Sequence, residues 1–166
     1  MINKQSNVYT IAYITIMVIV VGAVLAFTSM ALKERQEENA QADKKSQILQ
    51  AVHIATTRSS VIADFDKYIV SQLVVNDKGE EVGSQDAFTI DVAAEAQKPA
   101  DQRLLPVYIC KLPDAGTKYI LPLAGMGLWG PIWGYVAFDD DGSTIYGAFF
   151  DHQGETPGLG AKITKP

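Results

Sequence analysis

An uninterrupted run of 25 uncharged residues, from position 8 to position 32, constrains this chain more than any other feature. At a rise of about 1.5 Å per residue it makes a helix of about 37 Å, longer than a hydrocarbon core of roughly 30 Å. A cleaved signal peptide is the competing interpretation, but its apolar region is only about 7–15 residues long and ends at a small-residue cleavage site. The run instead passes directly into a charged helical pattern. We therefore predict that residues 1–32 are a retained single-pass anchor in a lipid bilayer.

The charges that flank this anchor do not predict which side of the membrane the rest of the chain occupies. Lys4 and the amino terminus lie before the run, and Lys33 and Arg35 lie after it. Basic residues favour the cytoplasmic side, but long domains are translocated largely regardless of flanking charge. The orientation therefore stays open at this point.

The 134 residues after position 32 carry 13 basic and 19 acidic side chains, a net charge of −6. Because a phosphate backbone is bound by basic surfaces, we do not expect nucleic acid as a partner. The length suits one domain with a sizeable core. The single cysteine, Cys110, excludes an internal disulfide framework and a cysteine-ligated iron–sulfur cluster.

Helical and extended patterns follow one another irregularly in this part of the chain. Residues 33–55 lack glycine and proline and are rich in helix formers, with an apolar stripe through Ile48, Val52 and Ala55. We predict a helical stalk over residues 33–60. Strands mixed with a few helices, without regular βα alternation, then indicate an α+β domain over residues 61–166. The β-rich segments are 68–75, 107–111, 118–123, 135–138 and 144–150, with a weaker strand over 88–92 or, alternatively, a short helix over 91–97.

Glycine is concentrated late in the chain, where ten of the 13 glycines fall between positions 116 and 160. Residues 125–134 (GMGLWGPIWG) hold four of them together with Trp129 and Trp133. Glycine permits close approach of the backbone to a ligand, and tryptophan supplies a flat apolar face. The pattern fits a site for a planar aromatic ligand, and it equally fits a glycine-rich bend with two core tryptophans.

A second cluster covers residues 151–160 (DHQGETPGLG) and follows a predicted strand. A glycine-bearing loop at this place is expected to expose backbone N–H groups suited to a phosphate or a polarised carbonyl. It is neither a P-loop nor a dinucleotide fingerprint. His152 and Glu155 lack a third clustered ligand, so no metal site is predicted. Ser143 lies outside a GxSxG context, so no catalytic triad is predicted either.

The two clusters together resemble one family. The stretch GLWGPIWGYVAFDDDGSTIYGAFFDHQGETPGLGAKI is similar to the signature region of the C subunit of the sodium-translocating NADH:quinone reductase. ETPGLG alone is shared with the related G subunit of the Rnf electron-transfer complex and with other FMN-binding-domain proteins. The anchor, the stalk and the acidic α+β domain agree with the first of these families.

This resemblance implies a flavin electron carrier in the bacterial inner membrane, with FMN as its cofactor and its domain facing the periplasm. Its partners would be the other subunits of the membrane complex, and a Rnf-type subunit or a non-catalytic, membrane-anchored assembly module is the alternative. No side chain is expected to act as a catalytic acid, base or nucleophile. The positions that the resemblance marks as flavin-binding are Thr156, Gly158, Leu159, Gly160, Glu155 and Trp129.

In the resembled family FMN is attached through its phosphate to a threonine in an SGAT-type motif, downstream of ETPGLG. The 166 residues contain no SGAT, and Ser143-Thr144 is not that motif. The family continues for several dozen residues beyond the position of Pro166. We therefore expect a truncated chain with no covalent flavin threonine and weak non-covalent binding.

Overall fold

The computed structural model describes residues 7–83 and 85–164, which divide between Gln41 and Ala42 into two compact units. The first unit is helical: helix α1 begins at Asn7 and runs through it, spanning Asn7–Gln50 in all. In the described part of the chain, this helix alone is long and apolar enough to cross a membrane. The large apolar side chains of its first part, between positions 8 and 32, make no buried contacts in the structure, as a lipid-facing segment requires.

In the second unit, α1 ends at Gln50, five residues before the end of the apolar stripe that suggested a longer helix. The N–H of Ile54 donates to the carbonyl of Leu49 at 3.0 Å, and the N–H of His53 donates to that of Gln50 at 3.0 Å. These two bonds form a Schellman motif, and His53 occupies its left-handed position with φ of 62°. Local geometry therefore ends the helix although no glycine or proline does so.

Five antiparallel strands form one meander in the order β1-β2-β3-β4-β5. The predicted α+β class is confirmed, and all five main strand predictions correspond to strands. Asp91 caps a short helix by accepting from the N–H groups of Ala93 and Ala94, so the alternative of a helix over 91–97 is confirmed and the weak strand over 88–92 is not formed. The elements are α2 (Val61–Tyr68), β1 (Ile69–Val75), α3 (Val92–Ala96), β2 (Leu105–Leu112), β3 (Gly116–Met126), β4 (Pro131–Phe138) and β5 (Ile145–His152), with 3₁₀ turns at Ala87–Thr89, Ala100–Gln102 and Ala161–Thr164.

The hydrophobic core lies on one face of this sheet. Alternate residues of β2 are buried, which is the pattern of a strand with one face packed and one face open. Tyr108 pairs with Ile120, and Ile120 pairs with Ala137, so one buried row crosses three strands. The same cluster is completed by Ile48 and Leu49 at the end of α1, Val52 just after it, and Phe65 of α2.

Candidate functional site

The first glycine cluster forms the hairpin between β3 and β4. Met126 pairs with Pro131, and the N–H of Gly127 donates to the carbonyl of Gly130 at 2.8 Å. We call residues 127–130 the tip loop. Its side chains project into solvent, with Leu128 72% and Trp129 66% exposed. No charged residue occurs from position 119 to position 138, so the tip is an uncharged apolar surface.

The two tryptophans of this cluster have different surroundings. Trp133 is partly buried, and its indole Nε1–H donates to Oε1 of Gln47 at 3.2 Å. A Cβ added to Gly134 would lie 2.4 Å from Cδ1 of Phe150, so this glycine makes room for a packed phenyl ring. Trp133 and Gly134 therefore take part in packing, and they lie within strand β4 rather than in a bend. Of the pair, only Trp129 offers an exposed aromatic face.

The second cluster, residues 151–160, begins in β5, and its residues 154–160 form a loop that we call the glycine loop. The N–H of Leu159 donates to the carbonyl of Thr156 at 3.1 Å, which closes a turn with Pro157 and Gly158 at its centre. Gly158 has φ of 89°, as the second central residue of a type II turn requires. Leu159 is 70% exposed at the end of this turn. The sequence TPGL therefore builds a turn that presents a leucine to solvent.

The sequence predicts that backbone N–H groups of this cluster are free to bind a phosphate. Three N–H groups here instead donate hydrogen bonds within the protein. The N–H groups of Leu159 and Ala161 both donate to the carbonyl of Thr156, at 3.1 and 3.3 Å. The N–H of Glu155 donates to Nδ1 of His152 at 3.2 Å. The following 3₁₀ turn, Ala161–Thr164, is too short to gather further free N–H groups. These three N–H groups are therefore used within the protein, while the exposed side chains of the loop remain open to a ligand.

Glu155 brings the two clusters together. Its carboxylate is buried, and Oε1 accepts a hydrogen bond from the backbone N–H of Trp129 at 3.0 Å. Alongside this contact, the N–H of Gln153 donates to the carbonyl of Pro131 at 3.0 Å. The tip loop and the glycine loop, 26 residues apart between Trp129 and Glu155, therefore form one candidate site.

The predicted site residues fall into two groups in this arrangement. Trp129, Thr156, Gly158 and Leu159 are exposed and form the surface, whereas Glu155 and Gly160 lie beneath it. Within the described residues, no cluster of three or more His, Cys, Asp or Glu side chains is placed to hold a metal ion. His152 uses Nδ1 as a hydrogen-bond acceptor for the loop.

The strongest pKa shifts among buried groups occur in the core rather than at this site. Burial raises the pKa of the Cys110 thiol to about 11 and the pKa of Tyr135 to about 12. Both side chains belong to the buried face of the sheet. The site offers an apolar surface and backbone groups, which suits binding better than proton transfer.

Sequence reasoning missed a groove of about 600 Å³ between the end of α1, strand β5 and the last 3₁₀ turn. Its volume lies in the range of small-molecule sites, about 300–1,000 Å³. None of the predicted site residues lines it. The walls of the groove come from three segments that are distant in the chain, so no local pattern predicts it. The only hint in the sequence is the pair of adjacent phenylalanines in β5. These walls include His53, Ile54, Phe149, Phe150 and Ile163.

Comparison with known proteins bears on this geometry. Residues 127–166, which contain both loops, match the family model of an FMN-binding domain. The chain is 31% identical to the C subunit of the Na(+)-translocating NADH-quinone reductase of Vibrio vulnificus, over all of this chain and 71% of the relative.

Two solved structures are also similar. The crystal structure of the C subunit of this reductase from Parabacteroides distasonis matches with a TM-score of 0.74 and 43% identity, over 81% of this chain and 65% of that one. The chain thus spans slightly less than two thirds of that protein. The structure of NqrC from Shewanella oneidensis matches with a TM-score of 0.64 and 25% identity, over 77% of this chain and 67% of that one.

Proposed function

The chain belongs to the family formed by the C subunits of the Na(+)-translocating NADH-quinone reductases, and we propose that it works as an electron-carrying subunit whose candidate site takes FMN. The relatives are named as parts of an oxidoreductase complex, and their name supports coupling of the electron transfer to sodium translocation. FMN would supply the redox chemistry, while the protein binds and orients it.

The contact between Trp129 and Glu155 carries this proposal. It places the exposed indole of Trp129 and the exposed side chain of Leu159 on two loops that are tied together. An indole face and an aliphatic side chain are suitable neighbours for a planar isoalloxazine ring. Leu159 ends the turn that begins at Thr156 and has Gly158 at its centre. Gly160 follows this turn, and Glu155 holds the loop in place. These residues fit a flavin through apolar contact.

Titration of FMN into the full chain in detergent tests the site. Flavin fluorescence is expected to be quenched on binding, and Trp129→Ala or Leu159→Ala should each weaken binding about tenfold, since each removes a large contact. Ile145→Ala is the matched control, because Ile145 is also exposed (61%) but lies at the opposite end of the β4–β5 ladder. Equal effects of all three variants would contradict the assignment.

The groove beside β5 is the alternative place where FMN could bind, and the same titration distinguishes the two sites. If FMN bound there, Ile163→Ala would weaken binding and Trp129→Ala would leave it unchanged. If wild-type chain failed to quench FMN at any accessible concentration while remaining folded, the assembly-module alternative would replace the flavin proposal. Residues 1–166 contain no SGAT motif, so the contacts proposed within these residues are non-covalent. A fluorescent band on a denaturing gel would overturn that part.

We also propose that the domain faces the periplasm of a bacterial inner membrane, anchored by residues 8–32. The apolar helix supports the anchor, and the family resemblance supports the side. An alkaline phosphatase fused after Lys165 should be active, because this enzyme matures only outside the cytoplasm. Activity of a cytoplasmic reporter alone at the same position would place the domain on the other side.

The proposed partners are neighbouring subunits of the family's membrane complex. The uncharged tip supports this, since large exposed apolar patches mark binding surfaces. Met126 and Leu128, at 79% and 72% exposure, extend this surface beyond the proposed flavin contacts.

A further inference from the structure

Two glycines at the candidate site lie against opposite oxygens of one buried carboxylate. A Cβ added to Gly127 would lie 2.3 Å from Oε1 of Glu155, and a Cβ added to Gly160 would lie 2.3 Å from Oε2. Such distances are far below van der Waals contact. Neither glycine has the positive φ that favours glycine. An added Cβ at either position would therefore have to displace the carboxylate, and at Gly127 it would also lie 2.9 Å from Cγ2 of Ile132. Space, rather than backbone conformation, thus favours glycine at both positions.

The same side chain joins the two loops. Glu155 is 8% exposed, and its Oε1 accepts the N–H of Trp129 at 3.0 Å. Its backbone N–H is held by Nδ1 of His152 at 3.2 Å, which anchors the start of the glycine loop to the end of β5. A carboxylate accepts such bonds strongly, because hydrogen bonds to charged groups exceed neutral ones. The carboxylate is thus enclosed by both loops and bonded to one of them.

We propose that Glu155 is the positioning residue of the site: its carboxylate holds the tip loop against the glycine loop, and Gly127 and Gly160 are glycines because they make room for it. On this view, these two glycines do not serve close approach of a ligand. The ligand instead meets Trp129 and Leu159, whose separation Glu155 sets. The inference rests on the proposed function only in taking FMN as that ligand.

Hydrogen exchange of the full chain in detergent, without flavin, tests the contact itself. Glu155→Ala should lower the protection of the Trp129 amide about tenfold or more, since its acceptor is lost. Glu155→Gln keeps an oxygen acceptor and should stay within about threefold of wild type. The amide of Ile120, in the middle of β3, reports whether the sheet is intact. Unchanged Trp129 protection in Glu155→Ala, with Ile120 also unchanged, would overturn the proposal.

Glycine variants test the steric part and remain informative if Glu155→Ala unfolds the sheet. Gly160→Ala should raise the dissociation constant for FMN about tenfold, because the new methyl displaces the carboxylate. Gly154→Ala, in the same loop but with nothing within 4 Å of its Cβ, is the control and should change it less than about twofold. Equal effects of the two substitutions would overturn the proposal.

A combined variant separates this inference from the proposed function. In a Glu155→Ala chain, Gly160→Ala should add less than about threefold to the dissociation constant, because the obstructing oxygen is gone. Fully additive losses would contradict the shared contact. If wild-type chain binds no FMN, the proposed function fails, while protection of the Trp129 amide still decides whether Glu155 ties the loops together.

Discussion

The imidazole Nε2 of His53 lies 3.2 Å from the carbonyl oxygen of Tyr146, and this contact joins the end of α1 to the outer strand of the sheet. The two rings also meet, with their centroids 5.4 Å apart. The contact depends on the φ of 62° at His53, which turns the chain out of the helix and directs the side chain toward β5. A residue that the sequence places on a helix thus serves to end that helix and to attach it.

Replacing His53 by alanine should lower the free energy of unfolding by about 1 kcal/mol, because a hydrogen bond is lost and the positive φ remains. His53→Gly loses the same bond but relieves a left-handed conformation that costs about 1–2 kcal/mol. The glycine variant should therefore be more stable than the alanine variant by about 1 kcal/mol. Denaturant unfolding followed by near-ultraviolet circular dichroism measures both. Equal stability of the two variants would argue against the turn.

Gly147 faces the same junction. A Cβ there would lie 2.5 Å from the carbonyl oxygen of Ala51 and 2.7 Å from Nε2 of His53. Gly147→Ala should lower the unfolding free energy by about 2 kcal/mol through overpacking. Gly125→Ala is the matched strand control, since its Cβ would make an ordinary 3.7 Å contact with Ile132, and should stay within about 0.5 kcal/mol of wild type. The same denaturant titration measures the unfolding free energy of both variants. Equal values for the two would contradict the close packing at Gly147.

Stability should fall in alkali. Burial raises the pKa of Cys110 from 9.0 to about 11, although the Lys118 ammonium opposes the shift, and burial raises the pKa of Tyr135 from 10.0 to about 12. The folded state therefore retains protons that the unfolded state releases. This stabilisation is complete below about pH 8 and is lost as the pH rises through 11 and 12.

A Cys110→Ala variant isolates the thiol part of this effect. Its unfolding free energy should decline less steeply than that of wild type between about pH 9 and 11, whatever its stability at pH 7. Denaturant midpoints measured at half-unit pH intervals provide the slopes. Parallel slopes for the two chains would show that the thiol does not titrate with the predicted shift.

The hairpin between β4 and β5 should respond to acid through Asp141. Hydrogen bonds from the Thr144 hydroxyl (2.6 Å) and from the N–H groups of Thr144 and Ser143 hold the pKa of this carboxyl far below its usual range. Its stabilisation is present above about pH 4 and is lost as the pH falls below that value. Asp141→Asn should lower the thermal midpoint at pH 7 and weaken its decline below pH 4. Asp140→Asn, in the same turn, serves as the control.

Several features of the fold follow from local sequence patterns. The uncharged run over residues 8–32 predicts a helix because length and composition alone decide that property. The turn at residues 139–142 predicts the β4–β5 hairpin, since glycine takes the positive φ that the turn requires at Gly142. The β-rich segment over residues 107–111 likewise predicts strand β2, whereas its alternation of buried and exposed residues comes from the structure. The early end of α1 escaped prediction because a histidine, rather than a glycine, occupies the left-handed position.

The candidate site likewise has some features that local sequence patterns predict and others that depend on the folded structure. Local patterns were enough to predict two glycine-rich clusters, a glycine-bearing loop after β5, and an aromatic face at Trp129. Only the folded structure shows that Glu155 lies between the two clusters and that Gly127 and Gly160 leave space for its carboxylate. It also shows that Trp133 is partly buried and bonded to Gln47. Turn and strand preferences arise from interactions over a few residues, which a linear pattern records. The space around a side chain depends on segments distant in the chain, and it exists only once the sheet has brought them together.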